Sequence, residues 1–407
     1  MSADAIARLR VEDNAAETRT SRPPPAESRR APRAAASAAE TRTPEKPRQQ
    51  IVLVLQGGGA LGAYQAGVYH GLCEGGVEPD WVIGTSIGAI NGALIAGNPA
   101  KEWLGCLQEF WARLAYRRGF DALWPMPFLG GVFANMTTLA QGVPGFFQPN
   151  LQAPWSLHLP VGVERAAFYT AEPLRRTLEE LVDFDVLNRK EVRLTVGAVN
   201  LRTAEMRYFD SRDMHLGVAH IMASGALPPA FPAVRIGADA YWDGGVFSNT
   251  PIEAVLDDRP RRDSLIFSVN MWQPDGAEPQ SLWQVLSRQK DIRYASRGKC
   301  HVARQDQIHR LRHVIRELQA HLSEDQLADP AVRELVSYGC ATRMHLVRLL
   351  APRLDREDHT KDIDFTRAGI RRRRHAGRAH ALRVLAAEPW TGEFDPLQGI
   401  VVHEMGE

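Results

Sequence analysis

Twice between residues 50 and 97 an apolar run opens into a glycine turn and then into a helix. Ile51-Val52-Leu53-Val54-Leu55 is continuous and rich in β-branched residues, which suits a strand buried on both faces of a parallel sheet. Gly57-Gly58-Gly59-Ala60-Leu61-Gly62 follows, and a helix is predicted from about Ala63 to Cys73, stopped by Gly75-Gly76. Asp80-Trp81-Val82-Ile83-Gly84 is a second short strand. It runs straight into Ser86 and a helix over 87–96, ended by Gly97 and Pro99. Two strand–turn–helix units in succession imply βαβα connectivity, and so an α/β fold with a mostly parallel central sheet.

The stretch 122–163 differs. It contains no Asp, Glu, Lys or Arg, and its six prolines prevent long regular elements. Trp124, Phe128, Phe133, Phe146, Phe147 and Trp155 make it aromatic. A loop of this length and polarity is read as an apolar lid or pocket wall, or as a packed insertion of no special role. Regular structure resumes with a helix over 172–187, strands over 192–199 and 206–209, and a helix over 218–224 broken by Pro228-Pro229. Asn249-Thr250-Pro251 looks like a helix start, and 264–269 like another buried strand. Beyond about residue 275 the chain reads as charged amphipathic helix over 282–297, 305–322 and 365–385. A basic cluster at Arg371–Arg374, Arg378 and Arg383 is either a solvated face beside Glu357, Asp358, Asp362 and Asp364 or a patch for an anionic interface. The predicted organisation is a tail over 1–49, an α/β domain over 50–275 with a lid-like insertion over about 100–165, and a mostly helical region over 276–407.

Composition narrows the function classes. The chain of 407 residues is 44% hydrophobic and 24% charged, ordinary for a globular protein. A net charge of +1 provides no field for nucleic acid. The four cysteines form no CxxC pair, so neither a disulfide scaffold nor a zinc site is expected, and reduced thiols suit a cytoplasmic chain. Residues 1–49 are Ala-, Arg- and Pro-rich with scattered acids and no apolar core, unlike a signal peptide and too polar to fold.

Three motifs carry chemistry. Gly57, Gly59 and Gly62 after a strand match a dinucleotide turn, but that reading needs an acid at the end of the next strand. Glu78 and Asp80 precede that strand instead. The same turn exposes backbone N–H groups at a helix N-terminus, where they can hold a developing oxyanion. Gly84-x-Ser86-x-Gly88 puts a serine on a tight strand-to-helix turn, with glycines where side chains would clash. The plainer reading of Ser86 is a helix N-cap. A serine nucleophile needs a base. None of the downstream histidines, His215 to His403, has a distinctive local context. Asp243-Gly244-Gly245, after Tyr241-Trp242, reads either as an ordinary turn or as an acid at a strand end beside closely approaching backbone.

As an ordered set, GGGALG at 57–62, GTSIG at 84–88 and DGG at 243–245 resemble the patatin-like phospholipase family. The flanks AYQAGV, AINGAL, ASGALPPAFPAV and SNTPI are similar too, and the likeness covers about 50–275. The resemblance implies a three-layer patatin-like fold and lipid acyl hydrolase activity through a Ser86–Asp243 dyad without histidine. Gly57, Gly58, Gly59, Gly62 and Ile87 would form the oxyanion hole, with N–H donors at Gly58, Gly59 and Ile87. Gly84, Gly88, Gly244 and Gly245 would support the motifs. The family often carries Arg or Lys where this chain has Leu61, so the backbone and helix dipole must hold the charge. The expected partner is a lipid or other apolar acyl ester, met in transient contact with a membrane or lipid surface, with no metal or cofactor. Other readings are an esterase on a stored polyester and a non-catalytic lipid-binding module.

Overall fold

A computed structural model describes residues 49–115, 138–354, 357 and 359–405. Residues 1–48 of the predicted tail, and 122–137 of the charge-free stretch with Trp124, Phe128 and Phe133, lie outside the described residues, as does Asp358.

The strands are β1 (Gln50–Leu55), β2 (Trp81–Thr85), β3 (Gln148–Pro149), β4 (Tyr169–Thr170), β5 (Arg193–Asn200), β6 (Met206–Asp210), β7 (Val234–Ile236), β8 (Asp239–Asp243), β9 (Ser264–Asn270), β10 (Met344–Leu350) and β11 (Ile400–Glu404). Helices of seven or more residues are α1 (Ala63–Glu74), α2 (Ile87–Ala96), α3 (Trp103–Leu114), α4 (Glu172–Leu181), α5 (Val218–Ser224), α6 (Leu282–Gln319), α7 (Pro330–Val336) and α8 (Arg367–Ala387).

Nine strands form one sheet in the order β11-β10-β9-β1-β2-β5-β8-β7, with β6 also on β5. From β11 to β5 every neighbour is parallel, and β6, β8 and β7 add antiparallel pairs. The central strands are apolar on both faces because both are covered. Leu53 and Leu55 of β1 point into a core with α1, α2 and α3, while Val52 and Val54 point to a second core with Ile252, Leu256 and Ile266. This is the three-layer α/β architecture expected, with a largely helical C-terminal region.

The C-terminal third also enters the sheet. β10 runs parallel to β9, with Met344 beside Ser264, and β11 closes that edge. α8 lies along α1, where Ala381 and Val384 join the larger core and Arg378 pairs with Glu74. Three local expectations change. The helices expected over 282–297 and 305–322 are one element, α6; the intervening residues 298–304 include no proline, and the helix runs through them. The helix expected over 172–187 ends at Leu181, because the Asp183 carboxylate caps a new start by accepting from the N–H groups of Asp185 and Val186. The helix start expected at Asn249-Thr250-Pro251 falls slightly later, at Glu253 with Ile252 as N-cap, and the Asn249 side chain is used on the glycine turn. Among the described residues no helix is long and apolar enough to cross a membrane.

One register relationship positions the site. β2 lies on one edge of β5, with Thr85 opposite Gly197, and β6 lies on the other edge. The next residue of β5, Ala198, faces Asp243 of β8. Since β6 already takes the far edge, β8 continues the β2 side of β5. The residue after Thr85 is therefore brought to Asp243.

Candidate active site

That residue is Ser86. Its backbone has φ 57° and ψ −126°, in the left-handed region that costs a non-glycine residue about 1–3 kcal/mol. Its N–H donates to both the carbonyl and the hydroxyl oxygens of Ser224, each at 3.1 Å. Its carbonyl accepts from Ala89 at 2.9 Å and Ile90 at 3.2 Å, starting α2. The Ser86 hydroxyl makes no capping bond to α2, so the N-cap reading of its side chain does not hold. Glycine is required on both sides for close approach: a Cβ on Gly84 would strike the Gly88 carbonyl, and one on Gly88 the Leu55 carbonyl.

Asp243 is 1% exposed. Its N–H donates to Ala226 at 3.0 Å, and its Oδ1 accepts the Gly245 N–H at 2.7 Å. Its Oδ2 has no hydrogen bond of full geometry. Burial raises the carboxyl, the nearby Ser86 hydroxyl and the Gly245 N–H oppose it, and the net result is a pKa pushed up to about 7. Among the described residues no histidine hydrogen-bonds to Ser86 or Asp243. Tyr294 of α6 lies close enough for the Asp243 charge to raise its phenol, although burial is the larger cause of that shift.

The glycine turn lies against the serine. A Cβ on Gly57 would stand 3.1 Å from Ser86 Cβ. The Gly57 carbonyl accepts from Asn249 Nδ2 at 3.0 Å and Trp272 Nε1 at 2.7 Å. A trans peptide directs its N–H opposite to its carbonyl, so these two donors turn the Gly58 N–H away from themselves. The N–H groups of Gly58 and Gly59 have no protein acceptor among the described residues. Gly59, at φ +55°, leads into a 3₁₀ turn ending at Gly62. A buried polar chain supports the turn from behind. Gln65 donates to the Gln56 carbonyl at 2.7 Å, Asn91 to Gln65 Oε1 at 2.8 Å and to the Gly62 carbonyl at 3.1 Å, and Trp111 to Asn91 Oδ1 at 3.0 Å.

The C-terminal region reaches the same turn. A 3₁₀ turn at Lys361–Ile363 places the Asp362 carbonyl where a Cβ on Gly59 would lie. Lys361 Nζ pairs with Asp291 Oδ1 at 2.8 Å, both side chains being about nine-tenths buried. It also stands 5.2 Å from the ring centroid of Trp272, the residue that holds Gly57. Lys361 and Leu61 line one small cavity. A cation from elsewhere in the chain thus lies behind the turn in which position 61 is apolar.

Ser86 lies against both Asp243 and Gly57, Ile87 follows it at the start of α2, and Gly58 and Gly59 continue the turn from Gly57. Gly62 stands one step back, against Ile87 and Trp111, and Gly244 and Gly245 form the turn that follows Asp243. Sequence reasoning missed Ser224, Asn249, Trp272 and Lys361. The first two sit inside flanks that resembled the family, while Trp272 and Lys361 have no local signature.

The site is thus a strained serine on a strand-to-helix turn at the carboxyl end of the central parallel strand β2, set beside the antiparallel strand β8 in an α/β sheet. The patatin-like phospholipase family model matches residues 53–256, and a second, described as patatin phospholipase, matches 292–397. The chain belongs to the patatin-like phospholipase family. It is 56% identical over 61 residues to patatin-like phospholipase domain-containing protein 7 of Mus musculus, covering 13% of this chain and 4% of that one. It is 42% identical over 71 residues to lysophospholipase nte1 of Aspergillus terreus, covering 16% and 5%. The matched stretch therefore spans about a twentieth of these relatives' length. Among solved structures, VipD of Legionella pneumophila aligns over 84% of this chain and 67% of its own, with 15% identity and a TM-score of 0.38.

Proposed function

We propose that this chain hydrolyses carboxylic esters of lipids, with Ser86 as nucleophile and Asp243 as its base. The observation that carries this reading is the Ser86 hydroxyl set against a wholly buried carboxyl whose pKa lies at about 7. The carboxylate accepts the hydroxyl proton as Ser86 Oγ bonds to the ester carbonyl carbon. Charge developing on the carbonyl oxygen meets the N–H groups of Gly58, Gly59 and Ile87 and the positive end of α2; one such donor is typically worth about 10²–10³-fold in rate. The protonated Asp243 returns its proton to the departing alcohol. It then takes one from the water that cleaves the acyl-enzyme.

A cavity of about 290 Å³ supports an acyl substrate. Phe146, Leu174, Met222 and Phe231 give it an apolar side, Glu164, Glu172, Arg175 and Arg235 give it a charged one, and Gly225 and Ala226 form part of its wall. The segment that wall belongs to bonds Ser86 through Ser224 and Asp243 through Ala226. Phe146 brings in the charge-free stretch, packed edge-on against Phe147 and Phe231.

The test is covalent labelling with a fluorophosphonate probe, followed by turnover of esters of increasing acyl length. Labelling at Ser86 that is lost in Ser86→Ala, with activity in the wild type, is expected. An unlabelled wild type would sink the hydrolase reading in favour of a lipid-binding module. Retained activity in Asp243→Asn would move the base to a histidine.

A further inference from the structure

Arg367, Arg371, Arg374 and Arg378 recur along α8 at steps of four, three and four residues, so they share one face of the helix. At about 1.5 Å per residue this stripe is about 16 Å long. It lines a cavity of about 430 Å³ together with His70 and His375, over an apolar floor that includes Trp111 and Ile370. The chemistry at the elbow does not use this cavity.

Among the described residues its charge is only partly neutralised. Arg378 is held by Glu74 at 2.7 Å, and Glu74 also reaches His70 at 3.0 Å. On the facing helix α3, Glu109 is tied to Arg113 at 2.9 Å. Among the described residues Arg367, Arg371 and Arg374 have no carboxylate partner. Arg374 is half-buried, and burial pulls its guanidinium below the usual range. The contrast with Arg373 is sharp. That side chain turns inward on the same helix and meets both Glu357, at 3.1 Å, and Asp364, at 3.3 Å. Among the described residues the fold neutralises the inward Arg373 and the cavity-lining Arg378, and gives Arg367, Arg371 and Arg374 no carboxylate. Like charges a helical turn apart destabilise a helix, and a half-buried guanidinium without a partner is costly, so an anion bound here would relieve both costs.

We infer that this cavity binds the phosphate headgroup of an anionic phospholipid and so seats the protein on a negatively charged lipid surface. Planar, forked guanidinium groups match phosphate oxygens in pairs. The apolar floor beside them suits a ligand that is anionic at one end and greasy at the other. The floor is also wired to the glycine turn, since Trp111 donates to Asn91 and Asn91 donates to the Gly62 carbonyl. The choice of a lipid as bearer of the phosphate rests on the proposed hydrolase reading.

The experiment uses the full chain and diether lipids, which have no ester to cleave, so binding and esterase activity are read separately. Vesicles of phosphatidylcholine are compared with vesicles containing phosphatidylglycerol. The wild type should sediment with the anionic vesicles only. Arg371→Gln with Arg374→Gln should weaken that binding about 30-fold, at about 1 kcal/mol per arginine near an anionic surface. The exposed control Arg333→Gln should change it less than 5-fold, and turnover of a soluble short-chain ester should be unaltered. Equal loss in the control, or equal binding to phosphatidylcholine, would overturn the site. Arg374-dependent binding of inorganic phosphate by a protein that ignores both vesicles would assign the cavity to a free phosphate compound and overturn the lipid assignment. Vesicle binding that needs these arginines in a protein without esterase activity would leave the site standing and remove only the hydrolase reading.

Discussion

The backbone N–H of Ser86 is shared between two oxygens of Ser224, its carbonyl and its hydroxyl. Ser224 Oγ in turn donates to the Gly197 carbonyl at 2.7 Å, and Gly197 is the register partner of Thr85. Two residues on, the Ala226 carbonyl accepts the Asp243 N–H. One short segment therefore holds the strained serine to the sheet and holds the aspartate opposite it.

Ser224→Ala removes the hydroxyl and leaves the carbonyl. It should cost about 1 kcal/mol of stability, the net worth of one buried hydrogen bond. If the hydroxyl serves to hold Ser86 in its left-handed conformation, kcat should fall by about tenfold with KM little changed. A purely structural serine would show the stability loss alone. Ser224→Thr, which keeps the hydroxyl, should restore turnover if its methyl is accommodated.

The elbow glycines make a sterically defined case. Gly84→Ala places a methyl group against the Gly88 carbonyl and the start of α2. Both partners are backbone and cannot swing aside, so overpacking of about 1–3 kcal/mol is expected, with loss of fluorophosphonate labelling at Ser86. Thermal unfolding and labelling read the two effects separately.

Much of this was legible because buried parallel strands advertise themselves. β1 and β2 are unbroken apolar runs, and each ends in glycines that mark a turn. Ser86 and Asp243 were found through motifs whose spacing survives in the sequence. β10 and β11 were not found. His345 and His403 stand in them and stack on each other, with Nδ1 and Nε2 3.1 Å apart, and these polar residues interrupt the apolar signal at the sheet edge. The contact of Lys361 with Asp291 was equally hidden, because a pairing across 70 residues leaves no local pattern. The regions beyond 275 read as helix because their charge follows a helical period. That period does not reveal which turns dock on the glycine loop.

The Lys361–Asp291 pair tests that docking. Removing one partner of a buried ion pair leaves an uncompensated charge, typically costing about 3–5 kcal/mol, whereas replacing both with apolar residues is often close to neutral. Lys361→Met should thus destabilise more than Lys361→Met combined with Asp291→Leu. If the pair also aligns the Gly57–Gly59 turn through Trp272, the double variant should recover stability but keep a lowered kcat. Full recovery of kcat would confine the pair to folding.

The Asp243 carboxyl links stability to pH in the direction opposite to a salt-bridged acid. Unfolded, it titrates near 3.8; folded, burial holds it at about 7. Between these values the folded chain binds the extra proton, so this group's contribution is fully present below about pH 4 and is lost as pH rises through about 7. The loss is on the order of a few kcal/mol, at about 1.4 kcal/mol per pH unit. Asp243→Asn cannot ionise and should flatten that part of the stability curve, raising Tm at pH 8 relative to wild type. Activity should run the other way. The base is competent only when ionised, so kcat/KM should rise with pH through about 7 as stability falls. Unfolding and kinetics measured on one buffer series must show the two curves crossing in the same window. A wild type whose stability is flat from pH 4 to 8 would mean that Asp243 is not buried as a carboxyl in need of a proton, and its role as base would lose its physical basis.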